Sequence, residues 1–345
     1  MEKTELTPRK KAVLSAVVKA YIETGEPIGS KILMGLIENA PSSATLRNEM
    51  NELCALGFLT QPHTSAGRIP TSNGYRIYVD TLMQPQILGD TAKNFIDSRL
   101  TSVIGASQDI PKAVAEQLSE LTGYPAVCSY IVGKDVTLRQ IELLPVGRRS
   151  VVILLVTSDG RTLSRVCHIK TELTNGLIET FKVFAKSDLR RKSLTEFVPA
   201  TLQNVAMSGK CPFELLPILT ELFSMASDAS RSRVFISGAS KLYNFCDERS
   251  AAKIISLAEK GDPLISVLES GREKTDVIFG NDTPFGEFSG KAIVTSRYSL
   301  LGEYCGRIGI IAPDRILYDR VIPNIEYMAV RLSRIMTDAA DDMED

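Results

Sequence analysis

The first eighty residues leave the chain little freedom: three punctuated helix patterns, a glycine stop, a short β-branched run and a loop without acidic residues succeed one another. Thr7-Pro8 opens the first helix, Arg9 to Glu23. The threonine hydroxyl accepts from an orphan N–H, and the proline stands where its missing N–H costs nothing. Gly25 ends the helix. Leu14, Val17, Val18, Tyr21 and Ile22 make one apolar stripe facing a core. Ile28 to Met34 is short and amphipathic and suits the first helix of a helix-turn-helix. Pro41-Ser42-Ser43 then offers hydroxyl caps for a second helix over Ala44 to Leu56, which stops at Gly57.

Leu46, Met50, Leu53 and Cys54 form the inner stripe of that helix, which puts Asn48, Asn51 and Ala55 on the opposite face and Thr45 and Arg47 on its flanks. Such a face matches the major groove: asparagine pairs with adenine N6 and N7, arginine with guanine O6 and N7, and threonine or alanine methyls touch the thymine methyl. Taken alone, the same pattern describes any solvated helix. The segment C-terminal to Gly57 separates the two readings. Phe58-Leu59-Thr60 leads into Gln61 to Thr71, which reads as a β-wing, and from Pro62 to Tyr78 the formal charges are all positive. Arg68, the hydroxyls of Ser43, Thr64 and Ser65, and Arg76 in the next helix are placed to hold phosphates and set register.

Helix, helix, glycine, strand and cation-only wing, with the runs GEPIGSK, SSATLRNEM and LGFLTQPHTSAGRIPTSNGYRIYVD, closely resemble the HrcA family of heat-inducible transcription repressors over roughly residues 6 to 83. A weaker match continues to about residue 337. The resemblance implies an α+β multidomain chain: an N-terminal winged helix-turn-helix and a GAF-like α+β domain interrupted by an inserted, mainly helical dimerisation domain. It also implies a homodimer on double-stranded DNA at an inverted-repeat operator upstream of the GroE and DnaK operons, with the GroE chaperonin keeping the repressor competent. The terminal motif CGRIGIIAPDRILYDRV is similar to the family's GxxGVIGPTRMDYxRV but departs from it at Ala312, Asp314, Ile316 and Leu317.

The rest of the chain fits that plan coarsely. Thr91 to Leu121 reads as helical, with Phe95, Leu100, Val103, Ile104, Val114 and Leu118 as candidate buried positions and interruptions near Gly105 and Pro111. Ala126–Val132, Leu138–Val146, Ser150–Thr157 and Thr162–Ile169 look like one antiparallel sheet of hairpins. Helical stretches at Gly176–Ala206 and Pro212–Ala226, a strand at Val234–Ile236, and helices at Glu248–Lys260 and Pro263–Glu269 come next. Strands return at Thr275–Phe279, Lys291–Tyr298 and Gly306–Ile311, before a helix over Ile316–Met336 and an acidic tail read as disordered. The expected division is a winged helix over 1–85, a GAF-like domain over 86–207 and 272–337, an inserted dimerisation domain over 208–271, and a tail over 338–345.

Length and charge add limits. A chain of 345 residues exceeds the size at which single cores stop growing. Its net charge of −1 requires nucleic-acid binding to come from local arrangement. The sequence has no apolar run of ~18 residues and no secretory leader, which points to the cytoplasm. Six cysteines without a C-x-x-C pair read as buried free thiols. His63 and His168 have no ligand-spaced partner and no phosphate-loop motif is present, so no metal, cofactor or enzymatic activity is expected. Gly286 and Gly290 beside Phe285 and Phe288 read as a turn between strands. A ligand-gated regulator using a GAF-like pocket is the alternative function.

Overall fold

The structure, a computed structural model, describes residues 6–104, 110–271 and 274–341. The N-terminal unit begins with α1 (Pro8–Thr24), whose cap Thr7 accepts from Lys10 N at 3.3 Å and whose end, Gly25, takes a left-handed φ of 75°. It is followed by α2 (Ser30–Leu36) and by α3 (Ser43–Ala55), which is capped by Ser42. Leu14, Val17 and Val18 share a buried apolar core with Leu33, Leu46, Met50 and Leu53. Cys54, expected on that inner stripe, is only half buried. Strand β1 (Leu59–Thr60) pairs antiparallel with β2 (Ile69–Pro70). A further bridge joins Ile28 to Arg68, so Ile28 braces the wing instead of opening α2. Thr71 caps α4 (Ser72–Ile77) and donates to Gly57 O at 2.6 Å, tying the far side of the wing to the end of α3. This is a winged helix-turn-helix.

After α5 (Asp90–Ile104) and α6 (Ile110–Thr122) comes β3 (Ala126–Tyr130). The chain then runs through β4 (Leu138–Gly147), β5 (Ser150–Thr157), β6 (Thr162–His168), α7 (Asn175–Phe184), α8 (Pro199–Met207) and α9 (Leu216–Ala229). Next are β7 (Arg233–Ser237), α10 (Glu248–Lys260), α11 (Asp262–Glu269), β8 (Thr275–Phe279), β9 (Lys291–Leu300), β10 (Glu303–Pro313) and α12 (Tyr318–Asp341). Strands β7-β3-β10-β9-β8 form an antiparallel sheet in that order. Ala126 and Cys128 face the core shared with α6 and α12, and Val127 faces the core shared with α10 and α11. With helices on both faces, every residue of β3 is buried.

The second part of the chain divides between separate cores differently from the expected bounds. The chain leaves the body after β3 and returns through β7, which lies beside β3, so the two connections are adjacent, as an insertion requires. Between them β4-β5-β6 form a separate sheet whose inner residues Val151, Ile153 and Leu155 share a core with Phe181, Leu219, Leu222 and Ala226. The inserted unit therefore runs from about the end of β3 to the start of β7. It contains most of 133–207, which the sequence pattern assigns to the body. The stretch 208–271 has no core of its own: α9 belongs to the insert, whereas α10 and α11 cover the large sheet. The hairpins expected as one sheet with β3 also separate from it. Phe95 is exposed, with Ile96 buried in its place, while Leu100, Val114 and Leu118 are buried as expected. The side chains of Val103 and Ile104 and the break at Gly105 lie outside the described residues. The last helix continues to Asp341, so part of the tail read as disordered is helical; 342–345 lie outside the described residues.

The winged helix and the body share one continuous core. Tyr75 of α4 lies between the Phe279 and Tyr318 rings, at centroid distances of 6.1 and 6.0 Å. The terminal motif runs along this seam. Arg315 Nη1 donates to Ile22 O at 3.3 Å, and Tyr318 donates to Asp314 O at 2.6 Å. The insert attaches where β3 ends and β7 begins, near the start of β10: Ile131 N donates to Cys305 O at 2.7 Å. The winged helix meets the opposite end, where β8 and β10 finish. DNA-binding unit, body and insert thus succeed one another along the sheet.

Candidate nucleic-acid interface

Burying Leu46, Met50 and Leu53 turns the other side of α3 outward, and Arg47, Asn48, Asn51 and Ala55 are exposed. Ser43 and Thr45 are half buried at its first turn. The Ser43 hydroxyl lies 2.9 Å from Ser30 Oγ and joins α3 to the start of α2, while the Thr45 hydroxyl lies 3.0 Å from the capping Ser42 Oγ. The helix also bears two carboxylates, which would repel a duplex if they faced it. Lys10 of α1 draws both aside, meeting Glu52 at 2.7 Å and Glu49 at 3.3 Å, with Arg9 3.8 Å from Glu49. Hydrogen bonding to Glu52 pushes the Lys10 ammonium above its ordinary pKa. In sequence Arg9 and Lys10 are plain helix surface; their distance along the chain from Glu49 and Glu52 hides this role.

On the other flank stands the wing. Gln61 Nε2 donates to Thr64 O and Ala66 O, both at 2.9 Å, and closes the loop upon itself. Thr64 and Ser65 are exposed at its tip, where His63 Nδ1 lies 3.2 Å from Ser65 Oγ. Gly67 runs so close to Ile28 that a Cβ there would come within 2.5 Å of the Ile28 carbonyl carbon. From this anchored backbone Arg68 reaches to α3, its Nη2 donating to Asn51 Oδ1 at 2.7 Å. The structure thus joins the wing to α3 through Arg68 and Asn51, with Arg47 and Asn48 exposed on the helix and Thr64 and Ser65 exposed at the wing tip. Gln61, absent from the expected set, is marked in sequence only by standing at the mouth of the loop.

Arg76 is the exception. It forms an ion pair with Asp282 at 2.5 Å and lies over the Phe279 ring, 5.6 Å from its centroid. Asn281 donates to Ser72 Oγ at 3.1 Å beside it. Arg76 therefore takes part in the seam with the body. The wing is acid-free in sequence, but the carboxylate that holds Arg76 arrives from a loop 206 residues later.

Two family models cover the chain: the winged helix-turn-helix transcription repressor, HrcA DNA-binding model over residues 5–82, and the HrcA protein C-terminal domain model over residues 108–322. The chain belongs to the HrcA family. The heat-inducible transcription repressor HrcA of Brevibacillus brevis is 30% identical over 338 residues, covering 96% of this chain and 98% of that protein. Its counterparts in Acetivibrio thermocellus and Lactobacillus acidophilus are also 30% identical and cover 95% or more of each chain. A crystal structure of a hypothetical protein superposes with a TM-score of 0.63 at 20% identity, covering 97% of this chain and 100% of that one, which is a likeness of fold. The protein is a heat-inducible transcription repressor whose winged helix binds DNA. Among the described residues no helix is long and apolar enough to cross a membrane.

Proposed function

We propose that two copies of the chain bind an inverted-repeat operator ahead of the GroE and DnaK chaperone genes, in the cytoplasm, and that the GroE chaperonin keeps them competent to do so. The observation that carries this reading is the open face of α3, cleared of its carboxylates by Lys10 and flanked by a braced wing. Thr45, Arg47, Asn48 and Asn51 face bases; Ser43, Thr64 and Ser65 lie toward the backbone, and Arg68 stands between the wing and α3. One helix reads few base pairs, whereas two copies approximately add their binding free energies on a symmetric site.

The five-stranded body is the GAF-like domain in this reading, and the insert joins the two copies. Register supports the latter: Leu144, Val152 and Val166 form one row across the outer face of the small sheet, opposite its helices. Leu144 and Val166 are 50% and 53% exposed. An apolar row on a sheet face is what a second copy would cover. Val183, Met207 and Phe213 are exposed elsewhere on the insert and give a chaperonin apolar side chains to hold.

Retardation of an inverted-repeat duplex, with a single-copy half-site and a scrambled repeat as controls, tests the proposal. The intact repeat is bound as a complex of two protomers, and adding chaperonin raises the active fraction. Equal binding to the scrambled duplex refutes the operator reading, and an active fraction indifferent to chaperonin refutes the chaperonin link.

A further inference from the structure

Arg68 has donors and no acceptor. Its hydrogen bond to Asn51 therefore fixes which end of the Asn51 amide meets it: Oδ1 faces the wing, and Nδ2 with its two hydrogens faces away. Without that guanidinium, an exposed asparagine is free to flip and to change rotamer. The guanidinium itself is held. Nη1 donates to Ala66 O at 3.4 Å, and the Arg68 backbone exchanges two 2.9 Å hydrogen bonds with Ile28. Gln61 closes the loop on the same Ala66 carbonyl.

We propose that Arg68 is a positioning residue for base reading: it sets Asn51 so that the amide nitrogen is presented to the N7 acceptor of a purine in the major groove. The inference rests on the DNA-binding reading of α3 and adds to it. It gives the wing a part in sequence discrimination, where a simple phosphate contact would give it none. N7 is the acceptor that adenine and guanine have in common on that edge, and the second lone pair of Oδ1 leaves the adenine N6 donor acceptable beside it.

The test uses the full-length protein and an inverted-repeat duplex in which each purine of the half-site is replaced in turn, on both arms, by its 7-deaza analogue. That change keeps base pairing and removes only N7. Affinity is read by fluorescence anisotropy at several salt concentrations for the wild type, Asn51→Ala, Arg68→Met, Arg68→Lys and Asn51→Ala/Arg68→Met. In the wild type one deaza position weakens binding by about five- to a hundredfold. Asn51→Ala and Arg68→Met both erase that sensitivity, the double variant loses no more of it than either single one, and Arg68→Lys, which keeps a donor, restores part.

If Arg68→Met keeps the deaza penalty, weakens all duplexes alike and lowers the salt slope by about one, Arg68 is a backbone contact and the inference falls. It also falls if Asn51→Ala, at an exposed position the fold does not need, leaves every deaza penalty in place. Failure of the wild type to distinguish the inverted repeat from a scrambled duplex would instead sink the operator reading beneath it.

Discussion

Substituting Gly67 by alanine isolates the wing anchor. Gly67 does not have a positive φ, so alanine brings no backbone penalty and the effect comes from contact alone. The added Cβ would sit 2.5 Å from both the carbonyl carbon and oxygen of Ile28 and 2.7 Å from its nitrogen, all backbone atoms that cannot swing aside. Relief requires the wing to draw away from Ile28. That breaks the two 2.9 Å hydrogen bonds between Ile28 and Arg68, together worth about 1–3 kcal/mol. Keeping the wing in place costs a comparable ~1–3 kcal/mol of overpacking. Either loss is smaller than the ~5–15 kcal/mol stability of a typical domain, so the protein still folds. Operator affinity should nevertheless drop at least tenfold, because Arg68 no longer reaches Asn51. Amide hydrogen exchange checks the structural half: protection at Ile28 and Arg68 falls sharply, while Leu46 and Leu53 in α3 keep theirs. Wild-type affinity together with unchanged protection at Ile28 would refute the argument.

Three further outcomes are expected. On the proposed pairing through the insert, the wild type should be a dimer by light scattering and Leu144→Asp a monomer, at little cost to protomer stability because Leu144 is already half exposed; an unchanged mass puts the interface elsewhere. Ser42→Ala should cost about 1 kcal/mol in urea unfolding, and Ser42→Asp should restore that cap while still weakening DNA binding through phosphate repulsion; equal DNA affinity for the two would place the end of α3 away from the duplex. Asp159 sits where the insert meets the body, in an ion pair with Arg161 at 2.8 Å and accepting from Tyr130 at 2.7 Å. Burial alone would raise its carboxyl, but the Arg161 guanidinium, with hydrogen bonds from Arg161, Thr157 and Tyr130, holds it below its ordinary value. A depressed folded-state pKa contributes stability above the unfolded value and loses it as pH falls through the folded one. The melting advantage of the wild type over Asp159→Asn should therefore be steady from about pH 7 to 5 and shrink below about pH 4; an advantage independent of pH would refute the assignment.

Local signals are legible in the sequence because their causes are local. Thr7, Ser42, Gly25 and Gly57 mark helix ends through bonds within a few residues, and the outward face of α3 follows from which of its residues are apolar. Partnership between strands is not legible in the same way. Ala126–Tyr130 and Ser150–Thr157 are both apolar runs, yet β3 is covered on both faces while β5 alternates between an inner and an outer face. Composition alone does not say which runs lie in the same sheet. The end of the insert is equally quiet: Ser230-Arg231-Ser232 is a short polar turn between α9, packed on one core, and β7, packed on another. The pairing of Arg76 is hidden for the same reason, since a positive charge attracts a distant Asp282 as readily as a phosphate.

The seam that Arg76 joins bears on the proposed binding to an operator. On the proposed reading, in which two copies pair through the insert on a symmetric duplex, each winged helix must be rigid with respect to the insert. Tyr75 between Phe279 and Tyr318, Arg76 on Asp282, and Arg315 on the end of α1 supply that rigidity on one side of the sheet. Tyr130, Asp159 and Arg161 supply it on the other. Exposed ion pairs such as Arg76–Asp282 contribute only about 0–1 kcal/mol each, so the aromatic packing supplies most of the stiffness at the first seam. Loosening either seam would spread the orientations of the two helices and weaken operator binding without unfolding a single domain.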